Sequence, residues 1–459
     1  MSGTSTTINP STGEKIADYQ ILTDAEASAA VDRADEAFKT WRLEKPENRG
    51  KILNRLADLI EERQEALSQL MTREMGKPIS QGYQECELCA AICRYTAKQG
   101  LEQLKDESRE LEGGRALVSY RPIGVILGIQ PWNFPMYQVI RYSASNIMAG
   151  NTTVLKHASN VFGMAQEIEK LYLDAGLPKN VYQSLILDGK GASKLIDHPK
   201  VRGVTFTGSD DTGKKIAEAA GKVVKKTVLE LGSNDAYVVL SDADIDLAVE
   251  ACVQARIVNN GETCVAGKRF VASAAIYDEF RDKFVKQMAA IKVGDPTDKD
   301  TQLGPIARED LRDTIQEQVD KSLANGATCA VGGKVPDGKG FFYPNTVLEN
   351  VKPGMPAYDG EIFGPVASLI KAKDDEDAMR IANDSRYGLG GGLFSKNEDR
   401  AIELARNHFD TGMININGYN LAKPQLPFGG VKDSGYGREH GGFGIREFVN
   451  IKAIMINAA

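Results

Sequence analysis

Apolar residues recur at helical spacing through most of the first hundred positions. Thr23-x-x-Glu26 reads as a capping box, and Val31, Ala34, Phe38 and Trp41 follow on one face. Ile52, Leu56, Leu59 and Ile60 predict a second helix. It should end near Gly76, ahead of Pro78, because glycine closes helices and proline cannot continue them. The pattern then changes. Segments 125–129, 153–156, 181–187, 204–207 and 228–231 are short apolar runs of the kind that form buried strands. Helical spacing fills the gaps, as in 161–174, which stops before Gly176 and Pro178. Strands alternating with helices predict an α/β fold with a largely parallel sheet. A second alternation begins at 236–240 and continues to about residue 420, which puts the expected boundary between units at 230–234. The β-like stretch 116–121, with the C-terminal tail, reads as a separate arm. No internal repeat, low-complexity tract or long linker is visible.

Composition narrows the class. A chain of 459 residues is expected to form two or three domains. Hydrophobic content of 42% and charged content of 26% are those of an ordinary soluble globular protein. The net charge of −7 gives no footprint for nucleic acid and no polybasic patch for a membrane. The apolar runs are too short to cross a bilayer. Residues 1–20 are polar and lack the apolar core of a secretory signal. The six cysteines are sparse, which suits a reducing compartment, and a cytoplasmic location is expected. Cys86, Cys89 and Cys93 share one helix face and should pack as small hydrophobes. The second cluster that a metal site would need is missing from the sequence.

Three segments carry chemistry. Cys264 lies in Asn260-Gly-Glu-Thr-Cys-Val-Ala-Gly-Lys-Arg269, after a turn-like approach whose backbone amides can face a developing negative charge. Glu230 ends a Val-Leu-Glu-Leu strand, where apolar neighbours would raise its pKa towards that of a general base. Asn133, within Pro131-Trp-Asn-Phe-Pro135, carries an amide able to donate to an oxyanion. Each has a plainer reading: a packing cysteine, a carboxylate at a strand edge facing solvent, an asparagine forming a turn. For nucleotides, no G-x-G-x-x-G string occurs. The segment 208–215 imitates a P-loop, but Lys215 replaces the Ser/Thr that would hold Mg²⁺, so a triphosphate site is not expected.

In their order and rough spacing these segments resemble the aldehyde dehydrogenase superfamily, over nearly the whole chain. The resemblance implies a Rossmann-like cofactor domain (1–105 and 123–231), an α/β catalytic domain (232–427) and a small β oligomerisation arm (106–122 and 428–459). It implies that Cys264 attacks an aldehyde, that Asn133 and the Cys264 amide hold the oxyanion, and that hydride passes to a nicotinamide. Glu230 then activates water to hydrolyse the thioester. Phe206-Thr-Gly208-Ser209 looks like the family's pyrophosphate turn, at a helix N-terminus able to hold one phosphate. Trp132 and Leu231 join this cofactor set. Glu361-Ile-Phe363-Gly-Pro365 resembles the element that grips the nicotinamide ribose.

Many NAD-preferring relatives carry Glu at the position of Ser159. Ser159 removes its repulsion of a 2′-phosphate and Lys156 adds a cation, so NADP is the expected cofactor, with NAD as the alternative. The plainer reading is that both merely cap the next helix. Pro427-Phe-Gly-Gly-Val-Lys-Asp-Ser-Gly435 is a further family string, expected to shape the catalytic floor.

Arg141 falls about two helical turns after Asn133, with Tyr137 one turn before it, so the two could line one funnel. A guanidinium there suits a substrate carboxylate, although a helix arginine is commonly a surface ion-pair partner. The strings 133–141 and 156–160 resemble the succinate-semialdehyde dehydrogenase branch. The rival readings are a broad-range aldehyde dehydrogenase, a CoA-acylating enzyme (disfavoured by Glu230) and a silent scaffold. The partners implied are a small aldehyde and further copies of the chain, as a homodimer or homotetramer. Two departures stand out: Ser233 replaces a usual Gly, and Ala266 removes the second Cys that some relatives carry.

Overall fold

The computed structural model describes residues 3–457. Two main sheets organise the chain. The first runs, by neighbour, Gly435–Tyr436, Lys226–Glu230, Val201–Thr207, Val125–Gln130, Thr152–His157 and Tyr182–Ser184. All of its pairings are parallel except that of the short C-terminal strand with Lys226–Glu230. The second runs Thr328–Val331, Thr346–Glu349, Val366–Ala372, Arg269–Ser273, Ala236–Val239, Gly391–Phe394 and Asn415–Ile416, antiparallel only at its first pair. Both sheets are buried by helices, as continuous apolar strands require. This is the α/β architecture that the alternation predicts. Among the described residues no helix is long and apolar enough to cross a membrane.

The capping box forms as read: Thr23 Oγ1 accepts from the Glu26 amide and the Glu26 carboxylate accepts from the Thr23 amide. Cys86, Cys89 and Cys93 are wholly buried along the helix Ile79–Gln103. Three local expectations differ. The second helix is two, Pro46–Glu62 and Gln64–Met75, because the Arg63 backbone (φ −106°, ψ 13°) leaves helical geometry between them. It does end at Gly76, whose φ is +79° and whose missing Cβ would lie 2.7 Å from the Pro305 carbonyl oxygen. The polar N-terminal stretch forms a hairpin, Thr4–Ile8 with Lys15–Gln20, driven by β-branched residues rather than by apolar periodicity. The run 181–187 keeps strand pairing only over Tyr182–Ser184.

Glu107–Leu111, Gly114–Pro122 and Val449–Asn457 form a separate antiparallel sheet. The rest of 428–447 lies elsewhere. Val431–Lys432 pairs with Tyr387–Gly388, and Gly435–Tyr436 closes the edge of the first sheet beside Glu230. Residues 428–447 therefore wall the space between the two sheets.

Candidate functional site

The site lies where the carboxyl ends of the first-sheet strands meet the amino ends of the second-sheet strands. Thr207 and Glu230 end strands of the first sheet, Cys264 precedes the strand Arg269–Ser273, and Glu361 and Phe363 precede Val366–Ala372. Open parallel sheets gather ligands at such carboxyl ends. A cleft of ≈ 250 Å³ there is lined by Cys264 and Asn133 together with Trp132, Gly208, Ser209, Leu231, Glu361 and Phe363. Segments more than 200 residues apart in sequence thus converge on one wall. The Trp132 and Phe363 rings meet edge to face at 5.8 Å. Gly232 lets the Glu361 carboxylate lie close to the backbone: a Cβ there would come within 2.7 Å of its oxygen.

The turn before Cys264 is strained and firmly held. Asn259 and Asn260 have φ of 54° and 58°, and Gly261 follows at 75°. Asparagine and glycine are the residues that tolerate this left-handed run. Asn259 Nδ2 donates to the Asn133 carbonyl (2.8 Å) and the Glu262 carbonyl (3.0 Å). Asn260 Nδ2 donates to the Gly76 and Pro305 carbonyls, and its Oδ1 accepts from Gly304. Asn133 Nδ2 donates to the Glu262 carbonyl at 3.1 Å, so the Asn133 loop and the Cys264 turn are tied to each other.

Electrostatically the site is a buried cluster. Cys264 is half-buried, and burial pushes its thiol up to about 12, against the pull of Lys268 and Arg141. Glu230 is buried at the end of its strand, which rules out the solvent-facing reading. Burial raises its pKa to about 8, opposed by Arg141 and reinforced by Glu439. Neither carboxylate oxygen of Glu230 has a hydrogen-bond partner, so it is free to exchange a proton. Its side chain lies against Gly429, where a Cβ would approach it to 2.7 Å. Glu439 is likewise raised by burial, to about 7.

Arg141 is 1% exposed, which excludes the surface ion-pair reading. Its Nη2 donates to Thr207 Oγ1 at 3.0 Å, while Nε and Nη1 have no partner. The guanidinium lies over the rings of Tyr137 and Phe428, at 5.3 Å and 4.7 Å from their centroids. Burial lowers its pKa, but Tyr137, Glu439 and Glu230 together raise it above its ordinary value. Tyr137 is also buried, with its hydroxyl 3.1 Å from His440 Nε2. Neither Arg141 nor Tyr137 is on the cleft wall; Arg141 lies near enough to Glu230 to oppose its raised pKa, and Tyr137 lies under the guanidinium. Cys264 packs against a small buried cluster of Val265, Leu389 and Phe428, which Met413, Leu421 and Ala422 also join. Met413, Leu421, Ala422 and Phe428 also line a second cavity of ≈ 220 Å³.

Lys156 lies within the last residues of the strand Thr152–His157 and Ser159 just past its end, both apart from the cleft, half-buried and exposed respectively. Neither caps a helix: the turn Ser159–Val161 and the helix Phe162–Asp174 start at Ala158 and Val161 without side-chain caps. Ser209 stands at the N-cap of Asp210–Lys222 and makes no bond to its backbone amides, which leaves them open to an anion. Lys214 pairs with Asp433, and Asp210 is paired with Arg386.

Sequence reasoning missed several residues. Lys268 Nζ contacts Ser233 Oγ, the carbonyls of Thr263 and Cys264, and the Glu361 carboxylate. Glu85 pairs with the buried Lys77 and accepts from the Met136 and Tyr137 amides, fixing the helix that follows Asn133. Of these features only the left-handed Asn259-Asn260-Gly261 run leaves a local signal, as a string of turn formers.

A thiol, an amide donor and a nucleotide-sized cleft at these strand ends, with a buried carboxylic acid behind them, define a site for covalent chemistry beside a cofactor. The aldehyde dehydrogenase family profile matches residues 1–454, and the chain belongs to that family. It is 42% identical over 450 residues to a probable NADP(+) succinate-semialdehyde dehydrogenase of Synechocystis, covering 98% of this chain and 99% of that protein. It is 43% identical over 447 residues to an Escherichia coli K12 succinate semialdehyde dehydrogenase [NAD(P)+], covering 97% and 96% of the two chains. Its fold matches the Streptococcus pyogenes succinic semialdehyde dehydrogenase, solved with NADP+, with a TM-score of 0.96 at 38% identity, covering 99% and 100%.

Proposed function

We propose that this chain oxidises succinate semialdehyde to succinate with NADP+, and accepts NAD+ as the weaker cofactor. The observation that carries the substrate assignment is Arg141: a buried guanidinium with two unpaired donor atoms next to the candidate catalytic groups. Open N–H groups on a buried cation are costly unless an anion completes them, and a short dicarboxylate semialdehyde brings one. The names of the relatives agree with this reading.

The mechanism uses the chain's own groups. The Cys264 thiol, protonated at neutral pH, gives its proton to the ionised form of Glu230, a minor population at neutrality that grows as pH approaches about 8, as sulfur bonds to the aldehyde carbon. Asn133 Nδ2 and the Cys264 amide donate to the oxygen that becomes negative. Bound NADP+ supplies the hydride acceptor. Ser209 and the first turn of Asp210–Lys222 hold its pyrophosphate, Lys156 and Ser159 its 2′-phosphate, and Glu361 and Phe363 its nicotinamide end. Glu230 passes the thiol's proton to solvent, and its carboxylate then takes a proton from water; the water oxygen attacks the thioester carbon, and the C–S bond breaks to release succinate, with the Glu230 proton returning to the Cys264 sulfur. The cavity walled by Met413, Leu421, Ala422 and Phe428 is the approach for the aldehyde.

The enzyme works in the cytoplasm, which its six unpaired cysteines suit. It forms a homo-oligomer through the arm sheet. The edge strand Val449–Asn457 supports this: it exposes Ile451, Ile454 and Met455 and pairs on one side only. We assign the cofactor-binding domain to 1–105 and 123–231 and the catalytic domain to 232–427; the arm takes Glu107–Leu111, Gly114–Pro122 and Val449–Asn457, while 428–447 belongs with the walls of the site.

The test is a set of initial rates with succinate semialdehyde and with uncharged aldehydes of similar length, each with NADP+ and NAD+. Cys264→Ala should abolish turnover. Arg141→Ala should raise KM for succinate semialdehyde by about tenfold or more and leave the uncharged aldehydes nearly unaffected. Equal losses on both classes would remove Arg141 as the anchor and favour a broad-range enzyme.

A further inference from the structure

Lys268 is almost fully buried, four residues beyond Cys264, and its ammonium is used up by four acceptors. It donates to Ser233 Oγ at 2.8 Å, to the Thr263 carbonyl at 3.2 Å and to the Cys264 carbonyl, and it pairs with Glu361 at 3.1 Å. Ser233 closes the ring. Its hydroxyl also contacts the Cys264 carbonyl, and its backbone amide donates to the same Glu361 oxygen at 3.1 Å. This hydroxyl exists only because serine stands where the family usually has glycine. The peptide leaving Cys264 and the carboxylate beside Gly232 are therefore joined through one cation and one hydroxyl.

We propose that Lys268, with Ser233 as its partner, is a positioning residue that holds the Cys264 turn and the Glu361 carboxylate as one unit, so that the thiol is both aimed and activated in this enzyme. The proposal rests on Cys264 being the nucleophile. A buried ammonium with four acceptors has one satisfactory position, and the two carbonyls it binds belong to the turn that carries the thiol. The charge itself matters too. The thiol is faced by Lys268 and Arg141 as cations and by Glu361 and Glu230 as carboxyl groups, and Lys268 is the larger of the two opposing influences on its burial-raised pKa. Lys268 is itself faced by Glu361 and Asp235. Removing the ammonium leaves Glu361 uncompensated close to the sulfur, which disfavours the thiolate further.

The experiment is alkylation of the cofactor-free enzyme by iodoacetamide across pH, with Cys264→Ala as the blank. The blank is needed because Cys329 is exposed and Cys264 only half-buried, while the other four cysteines are buried. In Lys268→Met the Cys264-dependent rate should fall about tenfold at every pH from about 7 to about 9, below the thiol's own titration. The kcat should fall more than KM for the aldehyde changes. Ser233→Ala keeps the charge and removes the hydroxyl, so it should slow alkylation by about threefold over the same range. A folded Lys268→Met with the wild-type alkylation rate overturns the proposal. If that variant does not fold, Ser233→Ala decides, and a wild-type rate there overturns it. Turnover of the aldehyde that persists in Cys264→Ala would instead sink the nucleophile assignment itself.

Discussion

Glu230→Gln should make the protein more stable at alkaline pH while destroying its turnover. The native carboxyl has a pKa raised by burial to about 8, against an ordinary value of 4.5, and neither of its oxygens is hydrogen-bonded. Between those two values the folded chain keeps a proton that the unfolded chain has released. The native state therefore binds more protons there, and stability falls as pH rises through that window. At up to about 1.4 kcal/mol per pH unit, with the slope falling off at both ends of the window, this one group costs the wild type about 3–4 kcal/mol between about pH 5 and about pH 8. Glutamine fills the same space and does not titrate, so it carries no such penalty. Unfolding entropy of about 2.1 cal/mol/K per residue, over the whole chain, makes 1 kcal/mol worth roughly 1 °C in Tm. Calorimetric melts should therefore show the variant gaining about 3–4 °C on the wild type between the two pH values. The kcat should drop by about 10²-fold or more, since the base for hydrolysis is gone. An equal Tm difference at both pH values would mean that Glu230 titrates normally, and a site base held near neutrality would lose its physical support.

Two further perturbations probe the frame of the site. Ser159→Glu should shift preference from NADP+ to NAD+ by about tenfold or more, because a carboxylate beside Lys156 repels a 2′-phosphate and accepts from ribose hydroxyls. The ratio of kcat/KM for the two cofactors measures it, and an unchanged ratio would remove Ser159 from the selectivity argument. Glu85→Ala leaves the buried Lys77 ammonium without its partner and frees the Met136 and Tyr137 amides. Loss of about 3–5 kcal/mol in denaturant melts is expected, together with a fall in kcat as the Asn133 loop loosens; retention of both would show the pair to be idle.

The fold was legible because its strands are short apolar runs and its helices carry uninterrupted periodic faces, as at 125–129 and in the cysteine stripe of Ile79–Gln103. The N-terminal hairpin was not, since Thr4–Ile8 is polar and its strand character comes from β-branching and pairing. Cys264, Glu230 and Asn133 could be nominated because their local strings resemble the family's; residue type alone also allowed a packing cysteine, an edge carboxylate and a turn asparagine. What holds them could not. Lys268 reads as one of 56 basic residues until folding places Ser233 and Glu361 beside it. Glu85 reads as a helix-face carboxylate until Met136 and Tyr137 arrive from about fifty residues away.

The same asymmetry bears on Arg141. Helical spacing put it on a face with Asn133 but gave no depth. Depth decides its chemistry, because a surface arginine would be satisfied by water while this one keeps two open donor atoms beside a buried carboxyl. A local string can thus nominate the groups that react. Which charge each of them carries at neutral pH is set by burial and by partners distant in sequence. In this chain those partners are Lys268 for the thiol and Arg141 for the base, so a variant that spares Cys264 and Glu230 but alters either cation should still retune the chemistry.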